Sequence, residues 1–170
     1  MACCAVINFA YRQIMSNTTA ILAKEFASLK NELIAKYDEL GMRASGQWAD
    51  SLSVAIEGNN AELLHAEYGE QLEYGRKPSK QPPSEAIEQW IKDKGIAARI
   101  EGNISVSSLA YLIARKIGRE GWNRQQYGGT KLISSVVTPE RIQKIIDKVG
   151  ESELKNFTDK ISEYLNTLQA

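Results

Sequence analysis

From Asn17 to Leu40 the large apolar positions recur at threes and fours: Leu22, Phe26, Leu29, Leu33, Tyr37 and Leu40, with neither glycine nor proline before Gly41. That period predicts a long amphipathic helix, better suited by its length to packing across a sheet than to a coiled-coil seam. The linker 41–50 carries Gly41, Gly46 and Trp48. At residue 51 the period drops to two: Leu52, Val54 and Ile56 alternate with Ser51, Ser53, Ala55 and Glu57. Gly58-Asn59-Asn60 is turn chemistry, so residues 51–67 read as a β-hairpin with Ala61 to Glu67 as its second strand. Tyr68 and Leu72 lie one helical turn apart and stop at Gly75, which predicts a turn and a half of helix ended by a glycine in the left-handed region.

Three prolines, Pro78, Pro82 and Pro83, then fix φ and remove backbone donors, so residues 76–83 can enter neither a helix nor a central strand. A stiff, basic, exposed arm is expected. Ser84 is positioned as an N-cap, Ile87, Trp90 and Ile91 form one apolar face, and Gly95 with Ile96 closes the helix. Residues 96–104 read as a loop. Ser105 or Ser107 caps the next helix, with Leu109, Leu112, Ile113 and Ile117 facing inward and Arg115, Lys116 and Arg119 crowding the last turn, where the helix dipole favours cations. Residues 121–130 form a glycine-flanked loop with Trp122, Arg124 and Tyr127. The segment 131–137 admits a short strand or a helical turn. Thr138 and Pro139 open a helix through Ile142, Ile145, Ile146 and Val149 that Gly150 should end, and a last helix begins near Ser152.

Composition narrows the function classes. The 170 residues hold 21 Lys plus Arg against 21 Asp plus Glu, a net charge of zero, which opposes a chain built to neutralise many phosphates. The two cysteines, Cys3 and Cys4, are adjacent and cannot staple distant segments, which points to a reducing compartment. Residues 1–16 form an apolar arm without a basic leader, interrupted by Asn8 and Arg12 well short of a membrane span. It can be covered by its own domain or by a neighbouring subunit. His65 is the only histidine and reads as a strand residue rather than a ligand or base. Glu67, Glu70 and Glu73, spaced by threes, read as a solvated face. No phosphate loop, dinucleotide fingerprint, nucleophile elbow or zinc spacing occurs, so the expectation is a non-enzyme with no catalytic residue, cofactor or metal.

The order Tyr68-Gly69, Leu72-Glu73-Tyr74-Gly75-Arg76, Pro82-Pro83, Ile87, Trp90-Ile91, Lys94-Gly95-Ile96, Ile113-Ala114-Arg115-Lys116-Ile117 and Glu120-Gly121 resembles the neck or tail-completion proteins of tailed bacteriophages. Upstream, Ala44-Ser45-Gly46 with Ser51-Leu52 is similar to the entry those proteins use before their first strand. The resemblance spans roughly residues 43–146. The elements together read as an α+β fold: a small, mostly antiparallel sheet on the 51–67 hairpin, packed by the long N-terminal helix and by further helices at 84–94 and 106–119, with two further helices at the C-terminus. The domain plan is an arm at 1–16, one domain at 17–150 and a C-terminal helix at 151–170. The implied function is structural, a connector subunit in the virion, assembled in the host cytoplasm as a homo-oligomeric ring. Its partners would be portal, adaptor or tail proteins, with DNA passing through without sequence-specific binding and no membrane contact. The interface candidates are Tyr74, Arg76, Pro78, Pro82, Pro83, Trp122, Arg124 and Tyr127. The rival reading is a nucleic-acid-binding module using Arg76, Lys77, Lys80, Arg115, Lys116, Arg119 and Arg124.

Overall fold

The structure is a computed structural model that describes residues 3–99, 104–123 and 130–168, leaving aside the side chains of 3–16 and 123. The fold is α+β and mostly helical. In chain order it comprises α1 (Cys3–Glu39), α2 (Gln47–Ser51), β1 (Ser53–Glu57), β2 (Asn60–Leu64), α3 (Gly69–Tyr74), β3 (Gly75–Arg76), α4 (Ser84–Asp93), a 3-10 turn at Ala97–Arg99, α5 (Val106–Glu120), β4 (Trp122–Asn123) and α6 (Pro139–Leu168). The chain gathers into two compact units. One holds residues up to Glu32, Ser53–Leu64 and the stretch from Val136 onward; the other holds Leu33–Leu52 and His65–Ser135.

In the first unit β1 and β2 form an antiparallel hairpin in which Val54 faces Leu63 and Ile56 faces Ala61. These four inward positions are half-buried while Ser53, Ala55, Glu57, Glu62 and Leu64 are exposed, the alternation expected of a sheet covered on one side. The second strand ends at Leu64, so His65 lies beyond it. Leu22, Leu29 and Ile145 are buried together, with Phe26, Ile56, Ala61, Ile142 and Val149 packed on them, so the helices on the hairpin are α1 and α6. The Thr19 hydroxyl donates to the Gly58 carbonyl at 3.1 Å, tying α1 to the hairpin turn.

Between α1 and α6 runs a polar seam. Glu25, 6% exposed, accepts from Arg141 Nη1 at 2.9 Å and Lys148 Nζ at 2.6 Å, and Arg141 Nη2 also reaches Glu32 at 3.1 Å. Further along, Thr18 donates to Glu153 and Asn17 to Asn156. The Lys148 hydrogen bond holds the Glu25 carboxyl below the ordinary carboxylate range against the opposing effect of burial, and Arg141 adds to the lowering.

Two expected helix boundaries in this unit move. The backbone of α1 begins at Cys3, not near Asn17, because nothing in residues 3–40 breaks a helix. Thr138 does cap α6, its Oγ1 accepting from Arg141 N at 3.2 Å with Pro139 in the first position, but the helix continues through Gly150 to Leu168. A glycine inside a helix costs only about 1 kcal/mol against alanine. Anchoring of residues 153 and 156 on α1 offsets that. The segment 132–136 is a run of turns rather than a strand.

The second unit is packed more tightly. Trp48 and Leu52 are 1% exposed, and Ile91, Ala110, Ala114 and Leu132 are fully buried. Tyr37 lies against Trp48 with ring centroids 4.9 Å apart, and the Arg43 guanidinium, paired with Asp38, stands 6.0 Å over Tyr37. Helices α4 and α5 pack on each other. The α5 face that turns inward carries alanines at 110 and 114, which permits close approach, and leaves Leu112 half exposed against expectation. An alanine pair one turn apart sits nearer the axis of contact than the larger leucine beside it, so the helix is rotated from the angle its bulky residues suggest. Ser105 is the α5 cap, accepting from Ser108 N at 3.1 Å. At the start of α4 the flanking residue is Pro83, with Ser84 already helical and making no side-chain cap. The far end forms as expected: Gly95 N donates to Lys92 O and Ile96 N to Ile91 O, the double hydrogen bond of a Schellman stop.

Candidate assembly surface

The segment that carries the interface candidates folds into one braced structure in the second unit. Gln71 and Leu72 donate their N–H groups to Tyr68 O, starting α3, and Gly69 lies so close to Trp48 and His65 that a Cβ there would overlap the imidazole. Past Tyr74 the chain turns at Gly75 and forms a two-residue antiparallel ladder, Gly75 facing Asn123 and Arg76 facing Trp122. Both glycines flanking this ladder are required. Gly75 has φ 89 and ψ −163, and Gly121 has φ 73 and ψ −167, a mirror-image extended region open essentially to glycine alone. The left-handed helical conformation expected at Gly75 is therefore replaced by an extended one, which lets the chain enter a strand directly.

The proline-rich arm does not project freely. Ser79 N donates to Gly118 O at 3.1 Å, and the Gln81 backbone lies about where a side chain at 118 would stand, its Cα 3.0 Å from an ideal Cβ on Gly118. Arg76 is used internally, Nε donating to Ser79 Oγ and Nη2 to Lys80 O, each at 3.0 Å. Its guanidinium is a brace for the arm more than a free cation. Pro78 and Pro83 are exposed and Pro82 half-buried. The arm is thus a stiff loop laid on the end of α5, its outer side open to solvent.

Glu73 corrects the reading of residues 67–73 as a solvated face. Glu67 and Glu70 are exposed, but Glu73 is 3% exposed and its carboxylate accepts from Ile133 N at 2.8 Å and Ser134 Oγ at 2.6 Å. Thr130 adds its hydroxyl to Leu72 O at 2.9 Å and its N–H to Glu73 O. Hence β3 holds Trp122 through the ladder, and α3 holds Thr130 through these bonds. Arg124 and Tyr127 lie outside the described residues.

Large side chains crowd the outer surface of this unit: Tyr74 (53% exposed), Trp122 (41%), Trp90, Tyr111 and Leu112. Of the α4 apolar face, Ile91 is fully buried while Trp90 is 40% exposed. Among cations, Arg115, Lys116 and Arg119 are exposed, Lys116 within 3.9 Å of Glu120, and the arm sets Lys77 and Lys80 beside the same end of α5.

His65 is exposed with Nδ1 donating to Ala66 O at 2.7 Å, and among the described residues no group of three or more His, Cys, Asp or Glu could hold a metal. No helix among the described residues is long and apolar enough to cross a membrane. Two open grooves lie in the first unit, one of about 390 Å³ lined by Phe26, Ala61 and Ile142 and one of about 440 Å³ lined by Lys24, Lys148 and Lys155. Compared with family models, with curated proteins and with solved structures, the chain has no match.

Proposed function

We propose that this chain is an assembly subunit of the neck of a tailed phage, placed in a ring around the DNA exit channel between portal and tail proteins. The observation that carries the reading is the braced ladder with its exposed aromatics. The residues of the neck-protein pattern, spread over positions 68–121, converge on α3, the β3–β4 ladder, the arm and the α4–α5 pair. A loop stiffened by three prolines, pinned to α5 and flanked by Tyr74 and Trp122 has little conformational freedom to lose on docking, which suits an interface anchor. Net charge zero suits a channel wall past which DNA slides, since strong phosphate binding acts as a brake.

A nucleic-acid-binding module is a second reading, and the gathering of Lys77 and Lys80 with Arg115 and Arg119 at one end of α5 favours it. One pair of assays separates the two. Trp122→Ala should weaken assembly with portal and tail partners by about 2 kcal/mol, measured by sizing with light scattering, while affinity for a labelled oligonucleotide hardly changes. Normal assembly together with lost, steeply salt-dependent DNA binding would sink the connector reading and support the module.

A further inference from the structure

The hairpin of the first unit leaves the edge of β2 unpaired beside an apolar groove. β1 and β2 are joined by the two-residue turn Gly58-Asn59, with Gly58 at φ 59 and Glu57 facing Asn60. In such a hairpin the pair that flanks the turn exchanges both of its hydrogen bonds, and every second pair after it does the same. Glu57 with Asn60, Ala55 with Glu62 and Ser53 with Leu64 are therefore bonded to each other, whereas Ala61 and Leu63 aim their N–H and C=O groups away from β1. Among the described residues no backbone group meets those outward groups. The open groove of about 390 Å³ lies against this strand, lined by Ala61 and Glu62 together with Phe26 of α1 and Ile142 and Ile146 of α6, and by no residue of β1. Ile146 is 56% exposed, so the apolar wall is open to an occupant.

We propose that β2 takes up an extended segment of a partner protein as a third strand of this sheet. The unpaired groups state the chemistry of the occupant, since N–H and C=O groups offered at alternate residues of a strand are matched by another strand. Paired residues of neighbouring strands share a face, so the occupant's side chains beside Ala61 and Leu63 enter the groove over Phe26 and Ile142 and are apolar. The residue between them stands on the outer face beside Glu62. That glutamate is the one charged side chain among the described residues of the groove, and it is exposed without an ion-pair partner among them. The occupant is thus an extended run that reads apolar, basic, apolar. The same charge argues against a second copy of the chain: in the register that pairs the whole of β2 with another β2, Glu62 would stand directly opposite its own counterpart. The inference stands whether or not the chain belongs to a phage neck.

The test uses the whole purified chain and a labelled, amidated peptide in which isoleucine alternates with lysine and threonine. Fluorescence anisotropy should show saturable binding below about 1 mM, and hydrogen exchange at the Ala61 and Leu63 amides should slow when peptide is added. Methylating the alternate set of peptide nitrogens that turns toward β2 should abolish binding, while methylating the other set, turned to solvent, should leave it intact. Exchanging the peptide's lysines for glutamates should weaken binding about threefold, and Glu62→Lys should reverse that preference. Ile146→Glu, at an exposed position on the groove wall, should weaken binding by at least ~10-fold while its circular dichroism is retained. No saturable binding, binding indifferent to which set of nitrogens is methylated, or binding unchanged in Ile146→Glu overturns the proposal. Self-association that slows exchange at the same two amides without peptide would give the edge to a second copy and overturn it as well. Failure to join portal or tail proteins would bear on the connector reading and leave this result untouched.

Discussion

The two units bury apolar side chains to very different extents. In the second, Trp48, Leu52, Ile91 and Leu132 are at most 1% exposed, and α5 turns alanines inward so that its neighbour can come close. In the first, among the described residues, the buried apolar cluster has Leu22, Leu29 and Ile145 at its centre, the contact between α1 and α6 is completed by ionic and polar bonds, and Leu154, Phe157, Ile161, Tyr164 and Leu168 of α6 are exposed. Both segments look alike when only apolar spacing is counted. The difference is whether the apolar stripe or the polar one meets the rest of the unit, and that depends on the partner face. The second unit is organised around its own core, while the first keeps apolar surface in reserve.

The sharpest way to break this contrast is to remove a large side chain from the tight core. Trp48→Ala should destabilise the chain by about 4 kcal/mol, because the emptied volume is walled by Tyr37 and by the close-set backbone at Gly69 and can collapse only in part. Denaturant titration reads the loss as a lower midpoint. A cost below about 1 kcal/mol would mean that the second unit is loosely packed and the comparison is mistaken.

Next in size is the ionic seam of the first unit. Glu25→Gln takes away the negative charge that Arg141 and Lys148 share, and both cations keep some access to water, so the expected loss is about 2 kcal/mol rather than the larger penalty of a fully buried pair. The pH dependence has a definite sign. The folded-state pKa of Glu25 is lowered, so its stabilisation is complete above the ordinary carboxylate range and is lost as pH falls through the depressed folded value. The stability gap between the unaltered chain and Glu25→Gln should therefore be constant near neutrality and close in acid. A gap that widens on acidification would show that Glu25 is not the ionised acceptor described.

How far the sequence alone reaches follows from which interactions are local. The Thr138-Pro139 start, the Ser105 cap, the Gly95-Ile96 stop and the alternating hairpin were legible because each is decided within a few residues. Gly150 as a stop failed because a packed neighbour outweighed a small local cost. Ser84 as a cap failed because the extended geometry at Pro83 already ends the arm one residue earlier. The burial of Glu73 depends on Ile133 and Ser134, sixty residues on, and no local pattern announces that pairing. For the candidate surface, Tyr74, the arm and Trp122 could be singled out as residues, but their assembly into one ladder needed the pairing of Arg76 with Trp122 across the whole of α4 and α5. The use of Arg76 as an internal brace was equally out of reach.

The smallest expected effect is the most discriminating one. Phe157 is an aromatic side chain in a helix, as Trp48 is, yet it stands 62% exposed on α6. Removing it creates no cavity, and alanine is the better helix former, so Phe157→Ala should change monomer stability by less than about 0.5 kcal/mol. The measurement is denaturant unfolding at a protein concentration where the chain is monomeric, since at higher concentration any self-association is linked to folding and would add its own loss. An unchanged midpoint at high dilution together with a lowered one at high concentration would assign Phe157 to a contact between chains. If the midpoint instead falls by several kcal/mol at every concentration, Phe157 is packed within its own unit, the first unit has a core like that of the second, and the contrast between them disappears.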